Sequence, residues 1–295
     1  MERIQEAIEK ARRERQGNIG KSSQTAEAKQ SGSNNEQTDD TPAPERAPQV
    51  RAGETGVSQS PAGKSSIRIN YSQTKTVSMS EDELKDRRIV ANFAHDARSE
   101  PYRQLRGQVL KKFRENKWQT LAVTSPNSGS GSTLTALNLA ISLSFEANQT
   151  VLLVDLNLRN PGVATCMGIN DIEYGIADYV RGEKPLEDIL VNPGFERLVL
   201  LPGTPQGAFT SEVLSSPEMQ SVTNELVERY PSRIIIFDLP SVLSNDDALV
   251  FAPKCDATLM VLEEGGSKKQ DIERAYQLLE GCNVIGSVLN KVRYA

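Results

Sequence analysis

The first leucine of this 295-residue chain stands at position 84, and residues 1–83 hold no phenylalanine or tryptophan either. A segment without those side chains cannot bury enough apolar surface to offset its ordering entropy. Residues 16–79 are therefore expected to form a disordered linker. They are rich in Ser, Thr, Gln, Gly and Ala and carry Pro42, Pro44, Pro48 and Pro61. The globular part must come from residues 80–295, a length that suits one domain. The charge divides at the same place. Up to Ser80 there are 12 basic and 10 acidic residues, whereas the remainder holds 22 basic and 29 acidic ones. An acidic folded part argues against a dedicated nucleic-acid binder.

No apolar run approaches the ~20 residues needed to cross a bilayer. The charged opening lacks an apolar signal core, so a cytoplasmic location is expected. Residues 1–15 differ from the linker. Met1, Ile4, Ala7, Ile8 and Ala11 fall on one helical stripe, and Glu6–Lys10 and Glu9–Arg13 are favourable i,i+4 pairs. This short amphipathic helix reads either as a docking peptide for a partner groove or membrane surface, or as a frayed start with no role. Cys166, Cys255 and Cys282 are odd in number and lack CxxC spacing, and His95 is the single histidine. Reduced buried thiols are expected, and no metal centre of Cys or His.

Beyond position 84, short apolar runs alternate with helical patterns. Strands are expected at 120–124, 151–154, 198–201, 234–237, 257–261 and 284–289. Helices are expected at 100–115, 133–146, 217–229 and 269–279. Nearly continuous apolar strands separated by helices imply parallel β-α-β units, with both sheet faces covered.

The first strand of that series runs into Ser125, Pro126, Asn127, Ser128, Gly129, Ser130, Gly131, Ser132 and Thr133, and then into a helix. A Gly-rich turn between a buried strand and a helix N-terminus is a phosphate cradle, because its N–H groups converge and the helix dipole favours an anion. The frame is G-x-x-x-x-G-K-[ST], with Pro126 at the first Gly and Ser132 at the Lys. The next strand ends at Asp155, followed by Asn157 and Arg159, and a later one ends at Asp238. Acids at the carboxyl ends of parallel strands share the sheet edge with the loop, where ligands of open α/β sheets bind. One can hold a Mg²⁺ shell and another can orient or deprotonate a nucleophile.

With these residues the chain resembles the bacterial tyrosine autokinases (BY-kinases) of exopolysaccharide and capsule loci. These are P-loop relatives of the chromosome-partitioning and division-site ATPases. The stretches Thr124–Asn127, Thr133–Ser142, Val151–Asp155, Leu198–Pro202, Ile236–Pro240, Asp246–Leu249 and Val288–Lys291 carry the resemblance. It implies a P-loop NTPase-like three-layer α/β/α sandwich with a mainly parallel sheet. It implies ATP/ADP and Mg²⁺ as cofactors, with Asp155 and Asp238 as catalytic carboxylates. Ser128, Gly129, Ser130, Gly131, Ser132, Thr133 and Arg159 would contact the nucleotide, and Thr133, Asp155 and Asp238 the metal. Glu100, Arg103 and Arg106 fit the family's E-x-x-R-x-x-R oligomerisation motif. The partners implied are a membrane chain-length-determinant (polysaccharide co-polymerase) protein, and further subunits of the same chain or of an active paralogue. The chain would then sit peripherally at the inner membrane.

The departures from the family bear on mechanism. The phosphate-loop Lys is Ser132, and no lysine lies between Lys117 and Lys184. Ser128 and Ser130 replace the usual Pro and Glu, Asn157 replaces a second aspartate, and Ser241 replaces a Pro. In place of a tyrosine-rich tail there is one residue, Tyr294, as a possible phosphoacceptor. A preorganised Lys supplies several kcal/mol of transition-state stabilisation, so a degenerate member with weak or no phosphotransfer is expected. An active autokinase remains the first alternative. A positioning ATPase, which needs a Lys early or late in the loop, is the second.

Overall fold

The computed structural model describes residues 75–229 and 232–292. The expected opening helix, the linker up to residue 74, and Tyr294 lie outside the described residues. Within them the chain runs β1 (Lys75–Thr76), α1 (Glu81–Asp86), α2 (Glu100–Asn116), β2 (Thr120–Thr124), α3 (Ser132–Ser144), β3 (Thr150–Asp155), α4 (Val163–Cys166), α5 (Ile176–Val180) and α6 (Leu186–Ile189). It continues β4 (Val191–Asn192), β5 (Leu198–Leu201), α7 (Thr210–Ser215), α8 (Pro217–Glu228), β6 (Arg233–Asp238), α9 (Asp247–Phe251), β7 (Ala257–Glu263), α10 (Lys269–Leu278) and β8 (Val284–Asn290).

One sheet of eight strands has the order β1-β4-β5-β3-β6-β2-β7-β8. Every pair is parallel except β4 with β5. This is the mainly parallel three-layer arrangement expected. Strands β2, β3, β5 and β6 are buried at every residue, which explains their unbroken apolar composition. Successive residues feed opposite faces. Leu121, Val123, Leu153 and Ile236 pack with α2 and α3 through Val109, Phe113, Leu137 and Ile141. Ala122, Leu152, Ile235 and Phe237 pack with α8, α9 and α10 through Leu226, Phe251 and Ala275.

All ten elements expected from periodicity are present, with no end shifted by more than two residues. The elements that periodicity did not reveal are short. A two-residue strand such as β1 or β4 has no period to read, and α4 to α7 are one turn or little more. Strand β1 also lies ahead of the expected boundary near Ser80. It pairs with β4 at the sheet edge, and Val77 N–H donates to the Asn192 carbonyl at 2.9 Å.

One polar side chain inside the core fastens the segment before α2 to the helix that follows the phosphate loop. Asn138, fully buried on α3, accepts from the N–H groups of Val90 (2.8 Å) and Ala91 (3.1 Å) through Oδ1. Its Nδ2 donates to the carbonyls of Arg88 (3.1 Å) and Leu134 (3.0 Å). Replacing it by an isosteric apolar residue strands buried donors and acceptors. Asn138→Leu is expected to lower unfolding free energy by about 3 kcal/mol, seen as a lower urea midpoint at unchanged slope.

Candidate functional site

The turn from β2 into α3 is shaped by its two glycines. Gly129 and Gly131 adopt φ +83° and +85°, the left-handed region in which a Cβ is strained. At Gly131 a Cβ would also stand 2.3 Å from Asn290 Nδ2. The loop is stapled internally: the hydroxyls of Ser125 and Ser130 both donate to the Asn127 carbonyl at 2.9 Å. It is also held from the β7–β8 side. Asn290 Nδ2 donates to the Ser130 carbonyl, and Asn127 Nδ2 donates to Asp271 Oδ2, each at 2.9 Å.

These bonds use side chains and carbonyls. Among the described residues the backbone N–H groups of Ser128, Gly129, Gly131, Ser132 and Thr133 donate to no protein acceptor, while the turn over Ser128–Gly129 brings the Ser130 N–H back toward the Asn127 carbonyl. Unpaired N–H groups at a helix start, next to left-handed glycines, form a concave anion nest. The donors present therefore fit a phosphate chain.

The two acids sit beside each other under this nest, for Asp155 and Asp238 are partners in the β3–β6 register. Both are fully buried. Thr133 Oγ1 donates to Asp238 Oδ2 at 2.7 Å, whereas Asp238 Oδ1 has no hydrogen-bond partner. That orphaned carboxylate oxygen, next to the Thr133 hydroxyl, fits an outer-shell role for a magnesium ion, which takes few protein ligands. Asp155 is more committed. Its Oδ1 accepts from Asn157 N–H (3.1 Å), and its Oδ2 accepts from Gly162 (2.8 Å) and Val163 (2.9 Å), at the start of α4. Burial pushes the Asp155 carboxyl up to about 6 against the pull of those three donors. Burial, and then the charge on Asp155, pushes Asp238 well above the usual carboxylate range, with Thr133 opposing.

Above the loop lies a cleft of about 430 Å³. Ser128, Ser132, Asn157, Asn160, Ser241 and Asn245 give it a hydroxyl and amide lining, and no lining residue is charged. Gly131 and Leu134 also line a second groove of about 410 Å³, walled by Tyr102, Leu105 and Val288 with Arg88, Arg98 and Lys291 among its residues. The two spaces therefore share Gly131 and Leu134 as a common wall. Cys166 borders the cleft as a free thiol raised chiefly by burial.

Three residues expected at the site have partners on the chain itself. Arg159 does not line the cleft. It pairs with the buried Asp247 (Nε–Oδ2 3.1 Å) and reaches Asp246 at 3.9 Å. Asp247 also accepts from Thr210 Oγ1 at 2.8 Å. On α2, Arg103 pairs with Glu100 at 2.7 Å and donates to Ser99 Oγ at 2.7 Å. Arg106 donates to the Ser142 carbonyl at 2.9 Å and faces Glu146 at 3.4 Å.

No family model matches the chain. It is 26% identical over 194 residues to the tyrosine-protein kinase YwqD of Bacillus subtilis, covering 65% of this chain and 80% of that one. It is 30% identical over 179 residues to the tyrosine-protein kinase CpsD of Streptococcus pneumoniae serotype 4, covering 60% of this chain and 78% of CpsD. The chain belongs to the bacterial tyrosine-protein kinase family. Solved structures agree in fold. The kinase domain of the Escherichia coli tyrosine kinase ETK matches with a TM-score of 0.65 at 24% identity, covering 75% of this chain and 89% of that domain. The chimerical protein CapA2B2 matches with a TM-score of 0.65 at 22% identity, covering 75% of this chain and 94% of that one.

For a tyrosine-protein kinase relative, the loop keeps its backbone cradle and Thr133 and lacks a cation. Sequence reasoning missed the second layer of this site. Asp271 and Asn290 hold the loop, through Asn127 and Ser130, from elements far along the chain; Asn127 and Asn290 lay in stretches already singled out, and Asp271 did not. The buried acid pair has a measurable consequence. A carboxyl whose folded pKa exceeds its unfolded value binds more protons in the folded state, so stability falls as pH rises from about 4 through about 6. Asp238→Asn removes one of two adjacent buried charges. The ligand-free variant should be more stable than the parent by about 2 kcal/mol at pH 7.5, with the gap narrowing at pH 5, as read by calorimetric melting.

Proposed function

We propose that this chain is a tyrosine-kinase-like P-loop protein of exopolysaccharide assembly. It binds adenine nucleotide with Mg²⁺ and transfers phosphate weakly or not at all. The observation that carries the reading is the cleft above Ser128–Thr133: five of its lining residues have unpaired N–H donors and none has a cationic side chain. Phosphates lie in the cleft against the Gly129–Gly131 turn. Thr133 and Asp238 hold the metal shell, with Asp155 behind them. Arg159 approaches the nucleotide only by leaving Asp247. Phosphoryl transfer needs positive charge where the bridging and terminal oxygens gain negative charge, and Ser132 offers only a hydroxyl.

On this reading the protein regulates chain length or assembly rather than acting as the phosphoryl donor. It works peripherally at the inner membrane beside a chain-length-determinant partner. Glu100, Arg103 and Arg106 would exchange their internal pairs for contacts with a like chain or an active paralogue. Tyr294 would be the acceptor if one is used. No helix among the described residues is long and apolar enough to cross a membrane. The retained Thr133–Asp238–Asp155 arrangement favours an active autokinase as the second reading. A positioning ATPase finds less support, since its loop lysine has no counterpart in the cleft.

Labelled ATP with Mg²⁺ separates the first two readings. Tyrosine labelling of the full chain should be about 10³-fold slower than that of a lysine-bearing relative, and Ser132→Lys should raise ATP turnover by at least about tenfold. Rapid labelling of the unaltered chain that disappears in Asp238→Asn would establish the active kinase instead.

A further inference from the structure

We infer that the cleft selects nucleoside diphosphate over nucleoside triphosphate, so that the protein responds to ADP rather than ATP. The inference rests on the nucleotide-binding reading above and specifies its ligand. It follows from which parts of the phosphate site are present. A P-loop divides its work: backbone N–H groups cradle the α- and β-phosphates, while the lysine reaches the β- and γ-phosphates. Here the first part is complete. Gly129 and Gly131 hold the left-handed turn, and the N–H groups of Ser128, Gly129, Gly131, Ser132 and Thr133 are unpaired. The N-terminus of the 13-residue helix α3 adds its dipole.

The second part is missing, and among the described residues none that lines the cleft compensates for it. None of the residues lining the cleft is basic. Arg159, the first basic residue after the loop in sequence, is held at 3.1 Å by Asp247, a buried carboxylate that its departure would leave without a cation. Arg88, Arg98 and Lys291 line the groove on the far side of Gly131 and not the cleft. Beneath the loop lie two adjacent buried acids, and one oxygen, Asp238 Oδ1, is unpartnered.

A diphosphate therefore keeps every contact this loop can make. A third phosphate brings further negative charge toward Asp155 and Asp238 and gains no new donor with a positive charge. Charge-assisted bonds to phosphate are about twice as strong as neutral ones, so the lost partner weighs on the triphosphate more than on the diphosphate. Ser132 is half-exposed at the start of α3, where a longer side chain has the open cleft before it.

Calorimetric titration of the full chain in Mg²⁺ tests this, with ADP, a non-hydrolysable ATP analogue and AMP as ligands. ADP should bind at least about tenfold more tightly than the ATP analogue, a difference of about 1.4 kcal/mol. AMP should bind more weakly than ADP. Ser132→Lys should narrow or reverse the ADP preference, and Ser132→Ala, which adds no charge, should keep it. Melting curves of both variants check that they fold. ADP binding with equal or tighter binding of the analogue overturns the inference and leaves the nucleotide reading standing. An unchanged preference in Ser132→Lys also overturns it. Absence of binding by all three ligands, with no shift in melting temperature, overturns the nucleotide reading and the inference together.

Discussion

The site depends on five backbone N–H groups left without protein acceptors where β2 turns into α3. Unpaired donors are costly unless something takes them up, so the surrounding structure is arranged to keep them available. Two left-handed glycines aim them inward. The Ser125 and Ser130 hydroxyls close the turn on the Asn127 carbonyl, and Asn127 and Asn290 tie it to α10 and β8. The sheet order places β2 between β6 and β7, so the acid at the end of β6 reaches Thr133 at once. What the loop contributes is geometry, and geometry without a cation supports binding better than transfer.

That division explains how a member of a kinase family can keep so much of the site. The Thr133–Asp238 bond and the seat of Asp155 on α4 both depend on buried structure, and removing either leaves unpaired groups in the core. A loop lysine, by contrast, is a cleft-facing side chain. Its replacement by Ser132 costs the fold little, so the scaffold outlasts the charge. Burial is the chief reason that both carboxyls hold their protons to higher pH than usual, and at Asp238 the charge on Asp155 adds to it.

Much of this was legible in the sequence, and the reasons are specific. Strands β2, β3 and β6 are buried on both faces, so they read as continuous apolar runs with an acid or a glycine turn at the carboxyl end. The expected loop and both expected aspartates meet at one edge of the sheet. The edge strands β1 and β4 escaped notice because two residues carry no period. The partners of Arg159 escaped as well, because Asp247 and Thr210 come from distant helices and their pairing is a property of the fold. The same holds for Asn127 with Asp271 and for Asn138 with the 88–91 segment. Side-chain clamps between remote segments leave no local pattern.

We propose that this loop holds phosphate by its backbone alone. Backbone amide NMR of the full chain, with Mg·ADP added in steps, addresses it most directly. The account predicts that the amide resonances of Ser128, Gly129, Gly131, Ser132 and Thr133 move together and saturably, with downfield proton shifts as the N–H groups gain phosphate acceptors. Resonances at those five positions that stay in place at saturating Mg·ADP would contradict it.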